Sequence, residues 1–433
     1  MQSYCDLSYL KQYLLFFAII NRIIVLGLGI IFHYISQDYD LSSSSSIFLK
    51  WDAVYFDNIA KVGYEFEHEL AFYPGFPFLI RLFNKIFPFF SISFNELLIP
   101  TLCYFGSVFM LVKVTIMVGF SQRFAFKTGI LFCFSPISIF MFAPYTESPF
   151  FLFTLLGIYY WIKKNYFLTS LFFVFASTIR SNGFLLGGFF LYSILDSFIH
   201  FSSQSIDNNT YSNSNFNSND HKNDDLKSQK NALIIINSKS NFNLYKSFLK
   251  KLFDISSILK SLYSFSFKTY IINILNLLFT LIQFVPSFLF SKFANKKFCS
   301  NDGFQNVEWC GKSPYQTIQS KYWNVGFLKY WRKEQIPNFL LALPISCFVY
   351  IFIWKSRKNS NTKLIPFIIH LGFLTTFSIF NANVQVTTRI VLAASPAAWW
   401  ALASSNYNKL VIIYCLSYLV LGTVLFVKFL PWT

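Results

Sequence analysis

Charge is what this chain has least of. Only 13% of its 433 residues are Asp, Glu, Lys or Arg, and just 19 are acidic. A water-facing surface has to be covered by polar side chains, so this composition excludes an ordinary soluble domain. Cysteine pairs are missing as well. The seven cysteines (Cys5, Cys103, Cys133, Cys299, Cys310, Cys347 and Cys415) show no CxxC or Cys/His spacing, so no zinc site is expected. Cys299 and Cys310 would close a disulfide if their loop faces an oxidising lumen. The apolar runs are continuous and lack the ten-residue alternation of a β-barrel.

What is present is apolar and aromatic. Hydrophobic residues make up 54% of the chain, with 58 Phe, 25 Tyr and 9 Trp. Runs of membrane-spanning length recur, so the expected fold class is an all-α polytopic membrane protein of about 11 transmembrane helices. They fall near 9–35, 94–118, 126–143, 148–162, 166–180, 184–200, 269–290, 337–354, 364–380, 390–403 and 409–430. The net charge of +17 sits mostly between these runs, as positive-inside topology requires, and needs no nucleic-acid partner. With a cytosolic amino terminus, the opposite side receives an acidic loop (36–96) and a second loop (291–336). Within the first, residues 76–90 are short and carry Arg81 and Lys85, which suits a helix lying along the membrane surface. Residues 201–231 are low-complexity, 15 of 31 being Asn or Ser. The chain therefore divides into an amino-terminal membrane module (1–200), a low-complexity and basic cytosolic loop (201–268) and a carboxy-terminal membrane module (269–433).

The scarce acids are not spread evenly. Five of the 19 lie between Asp52 and Glu69, in "WDAVYFDNIAKVGYEFEHELAFYPGFP". Ionisable groups beside a membrane are costly, so such a cluster is a functional hypothesis. Trp51, Tyr55 and Ile59 are four apart and share a helix face. Asp52 and Asp57 diverge by roughly 140° on a helix and form no Asp-X-Asp, which points to one carboxylate acting as a base and to no metal site. Asp52 is equally suited to capping that helix. Asp57 reads as a solvated face residue. Glu65, Glu67 and Glu69 would share one side if extended. His68 is either a ligand or a hydrogen-bonded loop residue. Tyr73, like Phe72 and Phe76, suits either an interfacial belt or a sugar face.

The order "WDA…YF…IA…GYEFEHELAFYPGFP" resembles the first luminal loop of the GPI mannosyltransferase 2 family. The likeness continues through "FSPISIFMFAPYTESPFFLF" (134–153), "IRSNG" (179–183), "KYWNVGFLKYWRKEQIPNFLLALP" (321–344) and "VQVTTRIVLAASPAAWW" (384–400). Residues 201–290 match nothing in that pattern. The resemblance implies a GT-C glycosyltransferase fold in the endoplasmic reticulum membrane, its active site at the luminal face. It implies a dolichyl-phosphate-mannose donor and a GPI-lipid acceptor already carrying one mannose. The new bond would be α-1,6 and formed with inversion, with Asp52 as the catalytic base. No cofactor is implied, and an accessory membrane subunit is compatible with the likeness.

An inverting transfer also needs cations for the departing phosphate. Arg180 and Arg389 stand at luminal ends of spans inside these blocks, and Lys321 and Arg332 are further candidates; snorkelling or a loop ion pair is the plain alternative for each. Glu147 would orient acceptor hydroxyls or cap the following helix. Trp51, Glu67, His68, Tyr73, Asn182, Tyr322, Trp323 and Asn324 complete the expected substrate contacts, with interfacial anchoring the competing reading for Tyr322, Trp323 and Asn324. Three other readings stay open: a different dolichyl-phosphate-sugar transferase of the same fold, a lipid-linked sugar transporter or flippase, and an inactive structural subunit of a transferase complex, which would not require Asp52. A transporter would place ionisable groups at the bilayer midplane in repeated or broken helices, and no repeat is visible.

Overall fold

The computed structural model describes residues 7–35, 46–198, 267–299, 309–357 and 361–430. The low-complexity segment and nearly all of the basic loop lie outside the described residues. Among those described, every regular element is helical, so the expectation of an all-α polytopic membrane protein holds. Six helices are long and apolar enough to cross a membrane: Tyr9–Ile35, Ile92–Val118, Phe267–Phe298, Lys333–Ser356, Thr362–Asn381 and Asn408–Val427.

The chain forms two compact units. The larger comprises residues 1–186, 282–354 and 364–433; the smaller comprises 187–281 and 355–363. In the smaller, Thr280 donates to the Gly187 carbonyl, and Ser197 and Asn273 bond each other through their side chains. All the chemistry described below lies in the larger unit.

Its elements in chain order are α1 (Leu7–Ile35), α2 (Asp52–Lys61), a 3-10 turn (Glu67–Ala71), α3 (Gly75–Ile86), α4 (Ile92–Val118), α5 (Gln122–Cys133), α6 (Glu147–Ile162) and α7 (Tyr166–Ile179). After α8 (Phe267–Ile282), which belongs mainly to the smaller unit, come α9 (Val285–Phe298), α10 (Pro314–Trp323), α11 (Ile336–Ser356), α12 (Ile365–Asn381), α13 (Thr387–Ala394), α14 (Pro396–Ala403) and α15 (Asn408–Val427).

Proline explains where this map departs from the apolar runs. The expected 126–143 span stops at Cys133, and 134–146 becomes an irregular buried segment holding Pro136 and Pro144. Proline removes a backbone donor and pushes the preceding residue out of helix. The expected 390–403 span breaks at Ser395–Pro396 into α13 and α14 for the same reason. In the other direction, the 269–290 run continues helically to Phe298, so the second loop is shorter than 291–336 and itself contains α10.

The irregular segment is fastened by α1. Arg22, only 7% exposed, donates from Nη1 to the Met141 carbonyl at 3.0 Å and lies over the Tyr104 ring at 3.8 Å. Asn21 donates to Ser138 Oγ at 3.1 Å. A buried guanidinium needs such partners, and here they fix the loop that leads into Glu147. α3 presents Phe78 and Ile86 outward while burying Phe76 and Ile80, as a helix lying along the membrane surface would. Arg81 on its flank donates to the Ile59 and Ala60 carbonyls at the end of α2.

Candidate active site

Asp52 is the first residue of α2, and the cap position belongs to Trp51, which makes no side-chain cap bond. The capping role open to Asp52 is therefore not taken. Trp51 has φ +56°, a conformation that L-residues rarely adopt, and its indole stacks on Phe429 with ring centres 4.6 Å apart. The Asp52 amide donates to the Tyr145 hydroxyl at 3.1 Å. Together these hold the carboxylate at the start of the helix and not along its side.

Glu147 also opens a helix without capping it. Its carboxylate is fully buried and instead takes two arginines. Arg389 reaches Oε1 through Nε at 2.9 Å and Nη2 at 2.8 Å, and Arg180 Nη1 lies 2.9 Å from the same oxygen. Arg389 Nη2 is also 3.6 Å from Asp52 Oδ2. The Arg389 guanidinium lies over Phe140 at 4.1 Å and Tyr145 at 4.9 Å, so aromatic faces shield it. Four charges from four separate blocks thus form one chain: Asp52, Arg389, Glu147, Arg180.

The two acids in that chain differ in access. The Glu147 side chain is 0% exposed and Asp52 is 36% exposed. Despite that opening, desolvation dominates at Asp52 and raises its carboxyl above the ordinary aspartate range. Arg389 pulls it back and the Glu147 charge adds to the rise. The result is a carboxylate that water can reach but that surrounding protein solvates poorly.

The expected row of glutamates is not a row. Residues 67–71 coil into a 3-10 turn, so the period-two logic of a strand does not apply. Glu65 is exposed. Glu69, 1% exposed, accepts from the Glu65 and Phe66 amides and from Asn58 Nδ2, closing the loop on itself. Glu67 turns to α10, accepting from Trp309 Nε1 at 3.1 Å, Lys321 Nζ at 2.6 Å and the Tyr322 hydroxyl. Burial works to raise the Glu67 carboxyl, but these three donors outweigh it and leave it below the usual value. Asp57 is also not solvated; it is 8% exposed and pairs with Lys61 at 2.6 Å.

His68 sits among rings, stacked on Phe66 and edge-on to Tyr55. Tyr73 is 6% exposed, donates to Ser287 Oγ and packs on Phe290 and Tyr315, so it offers no open face to a sugar. Trp323 meets Phe72 edge-on at 5.8 Å. Beneath them Cys299 and Cys310 are bonded, with Cα atoms 5.8 Å apart, which fastens the start of the α10 segment to α9.

Asn182 Nδ2 is buried without a hydrogen-bond partner, two residues past Arg180. Thr387 and Thr388 at the start of α13 carry hydroxyls in the same condition. Buried polar atoms are normally satisfied, and each of these lies within two residues of an arginine of the charge chain. The threonines carried no signal of their own in the sequence, since Thr is ordinary in an apolar helix. Tyr145 carried no signal either, because its hydroxyl meets only backbone, accepting from the Asp52 amide and donating to the Lys50 carbonyl. Tyr322, Trp323, Asn324 and Arg332 line a separate cavity with Lys329, Tyr330 and Gln335. Among the described residues no group of three or more His, Cys, Asp or Glu converges.

A multi-span helical membrane protein with a solvent-reachable carboxylate beside buried arginines has the parts of a membrane-embedded group-transfer enzyme. The comparisons name the group. The family described as "Mannosyltransferase (PIG-V)" matches residues 45–212 and 230–433, and the chain belongs to it. It is therefore a mannosyltransferase, as the motif resemblance implied. A Candida albicans relative, "GPI mannosyltransferase 2", is 27% identical over 407 residues, covering 88% of this chain and 84% of its own length. A Drosophila pseudoobscura protein of the same name is 26% identical, with 88% and 86% covered. The human "GPI alpha-1,6-mannosyltransferase 2" is 26% identical, with 81% and 71% covered.

Proposed function

We propose that this enzyme transfers the second mannose, in α-1,6 linkage, from dolichyl-phosphate-mannose to a one-mannose GPI lipid at the luminal face of the endoplasmic reticulum, with Asp52 as general base. The α-1,6 linkage and a GPI acceptor follow the names of the relatives, and the single mannose already on that acceptor follows the motif resemblance. The disulfide supports a loop facing an oxidising compartment.

One observation carries the assignment of the base: of the two carboxylates in the charge chain, only Asp52 is open. Glu147 is buried under two guanidiniums and can neither meet a hydroxyl nor take its proton. Asp52 has a single 3.6 Å ion-pair contact and a raised proton affinity, which suits a base. The acceptor oxygen forms its bond to the mannose anomeric carbon as the carbon–oxygen bond to phosphate breaks. The electron pair leaves with the phosphate and the proton passes to Asp52, so a β-linked donor gives an α product.

Arg389 and Arg180 are the cations proposed for the departing phosphate. Each guanidinium has five donors; Arg389 gives Glu147 its Nε and sets Nη2 at 2.8 Å, while the buried Arg180 Nη1 makes no hydrogen bond although it lies 2.9 Å from the carboxylate, so donors remain for an oxyanion. Glu147 then holds the two arginines in register. Asn182 and the Thr387 and Thr388 hydroxyls supply neutral donors beside them.

The test is transfer by purified protein given dolichyl-phosphate-mannose and a one-mannose GPI lipid. Asp52→Asn should lose activity by at least about a hundredfold, the lower end of general-base contributions, while remaining folded. Near-normal transfer by that variant would remove Asp52 as the base.

A further inference from the structure

The block 321–335 supplies four cations and one acid, Glu334. Lys321 is taken by Glu67. Lys329 donates only to the neutral Ser320 hydroxyl, and Arg332 makes no ion pair among the described residues. Lys329 and Arg332 line one cavity of about 270 Å³, and neither Lys333 nor Glu334 is in its wall. The remaining lining is three aromatic rings (Tyr322, Trp323 and Tyr330) and two amides (Asn324 and Gln335). No aliphatic side chain is present.

That wall fits one kind of guest. Cations bind a phosphate, amides bond hydroxyls and ring faces cover the C–H faces of a cyclic polyol. The volume falls just below the usual range for drug-sized ligands, so it takes a headgroup and not a lipid chain. The walls are also shaped in advance. Asn324 and Leu328 both hold positive φ, near +53° and +57°. Trp331 stacks on Phe380 and donates to the Ile379 carbonyl, tying the loop to α12. Tyr330 donates to Gln385 and accepts from Asn338.

Geometry decides between the two lipid phosphates of the reaction. In the donor, phosphate is bonded to the reacting carbon, so its site must adjoin the base and the buried arginines. None of Asp52, Glu147, Arg180 or Arg389 lines this cavity. In the acceptor, sugars separate the phosphate from the reacting hydroxyl, so its site must lie beside the charge chain without including it. The cavity meets that condition: Gln385, bonded to its wall, lies in the 3-10 turn that leads directly into α13, four residues before Arg389.

Resting on the acceptor class proposed above, we propose that this cavity binds the phosphorylated, hydroxyl-rich headgroup of the acceptor lipid, with Lys329 and Arg332 on the phosphate. Arg332 thereby moves from the donor, where the sequence suggested it, to the acceptor.

The experiment titrates full-length protein in micelles with dioctanoyl phosphatidylinositol, with a short polyprenyl phosphate and with inorganic phosphate. Wild type should bind the inositol lipid. The Lys329→Gln/Arg332→Gln double variant should bind it at least about tenfold more weakly, the scale of one lost charge-assisted hydrogen bond, with polyprenyl-phosphate affinity unchanged. Arg332→Lys should restore part of the loss. In the transfer assay the double variant should raise the acceptor KM and leave kcat and the donor KM alone. Unaltered inositol-lipid binding, a loss falling on the polyprenyl phosphate, or equal affinity for inorganic phosphate would each overturn the assignment. Wild type that binds the inositol lipid yet transfers no mannose would sink the proposed reaction and leave the cavity's ligand standing.

Discussion

Two acid-centred knots occur in this enzyme, and they use nearly the same parts. At one, Glu147 gathers Arg389 and Arg180 beneath aromatic rings. At the other, Glu67 gathers Lys321, Tyr322 and Trp309. They differ in water. Glu147 is 0% exposed, whereas Glu67 is 20% and Lys321 44% exposed. Charges taken wholly out of water must be compensated or the fold fails; charges at the rim can be rehydrated. The first knot ties Glu147 to the arginines beside Asp52, and the second is a fastening that holds α10 to the acidic loop.

The sharpest way to break that comparison is at Glu147. Glu147→Gln leaves two mostly buried guanidiniums, 11% and 16% exposed, without their buried anion and should destabilise the protein by about 3 kcal/mol, the lower end for a broken buried pair. Thermal unfolding in detergent should show it, with transfer lost as well. A variant as stable as wild type would mean that the knot is hydrated after all.

The next effect is on pH. As the proposed base, Asp52 must be deprotonated to act, and its carboxyl is raised by desolvation against the pull of Arg389. Activity should therefore fall on acidification through a value above the ordinary aspartate pKa of about 3.9. Arg389→Gln removes the lowering influence and should move the acidic limb of the residual kcat/KM profile further up. A limb that moves down, or stays, would separate Arg389 from Asp52.

The smallest effect belongs to the rim. Glu67→Gln keeps the Trp309 and Tyr322 bonds sterically feasible and should cost no more than about 1 kcal/mol, because its lysine partner is largely solvated. The sign follows from its lowered carboxyl: wild type's advantage over the variant is full above the ordinary glutamate value and disappears as pH falls through the lowered one. A rim variant as crippling as Glu147→Gln would erase the distinction between the knots.

Much of this was legible in the sequence, for reasons that differ by residue. Apolar runs declare spans, so the helical membrane class was plain. Asp52 stood out through its place in a motif block that resembles a known family, and Arg180 and Arg389 through standing at the ends of apolar runs inside such blocks. What the sequence hid was partnership. Glu147 and Asp52 both looked like helix caps, a role that depends on one local hydrogen bond and is blind to an arginine 242 positions away. The glutamates of 65–69 were read with a strand's period, and a 3-10 turn sent them three ways. Asp57 looked solvated because nothing in its own helix predicts that its surroundings will bury it.

Trp51 sits in a backbone conformation that it would abandon if free, and what restrains it is the ring of Phe429, from the far end of the chain. During synthesis the segment before Asp52 is made early, while its clasp emerges only after α15. The turn that carries Asp52 can therefore close against its ring partner only once α15 has been made.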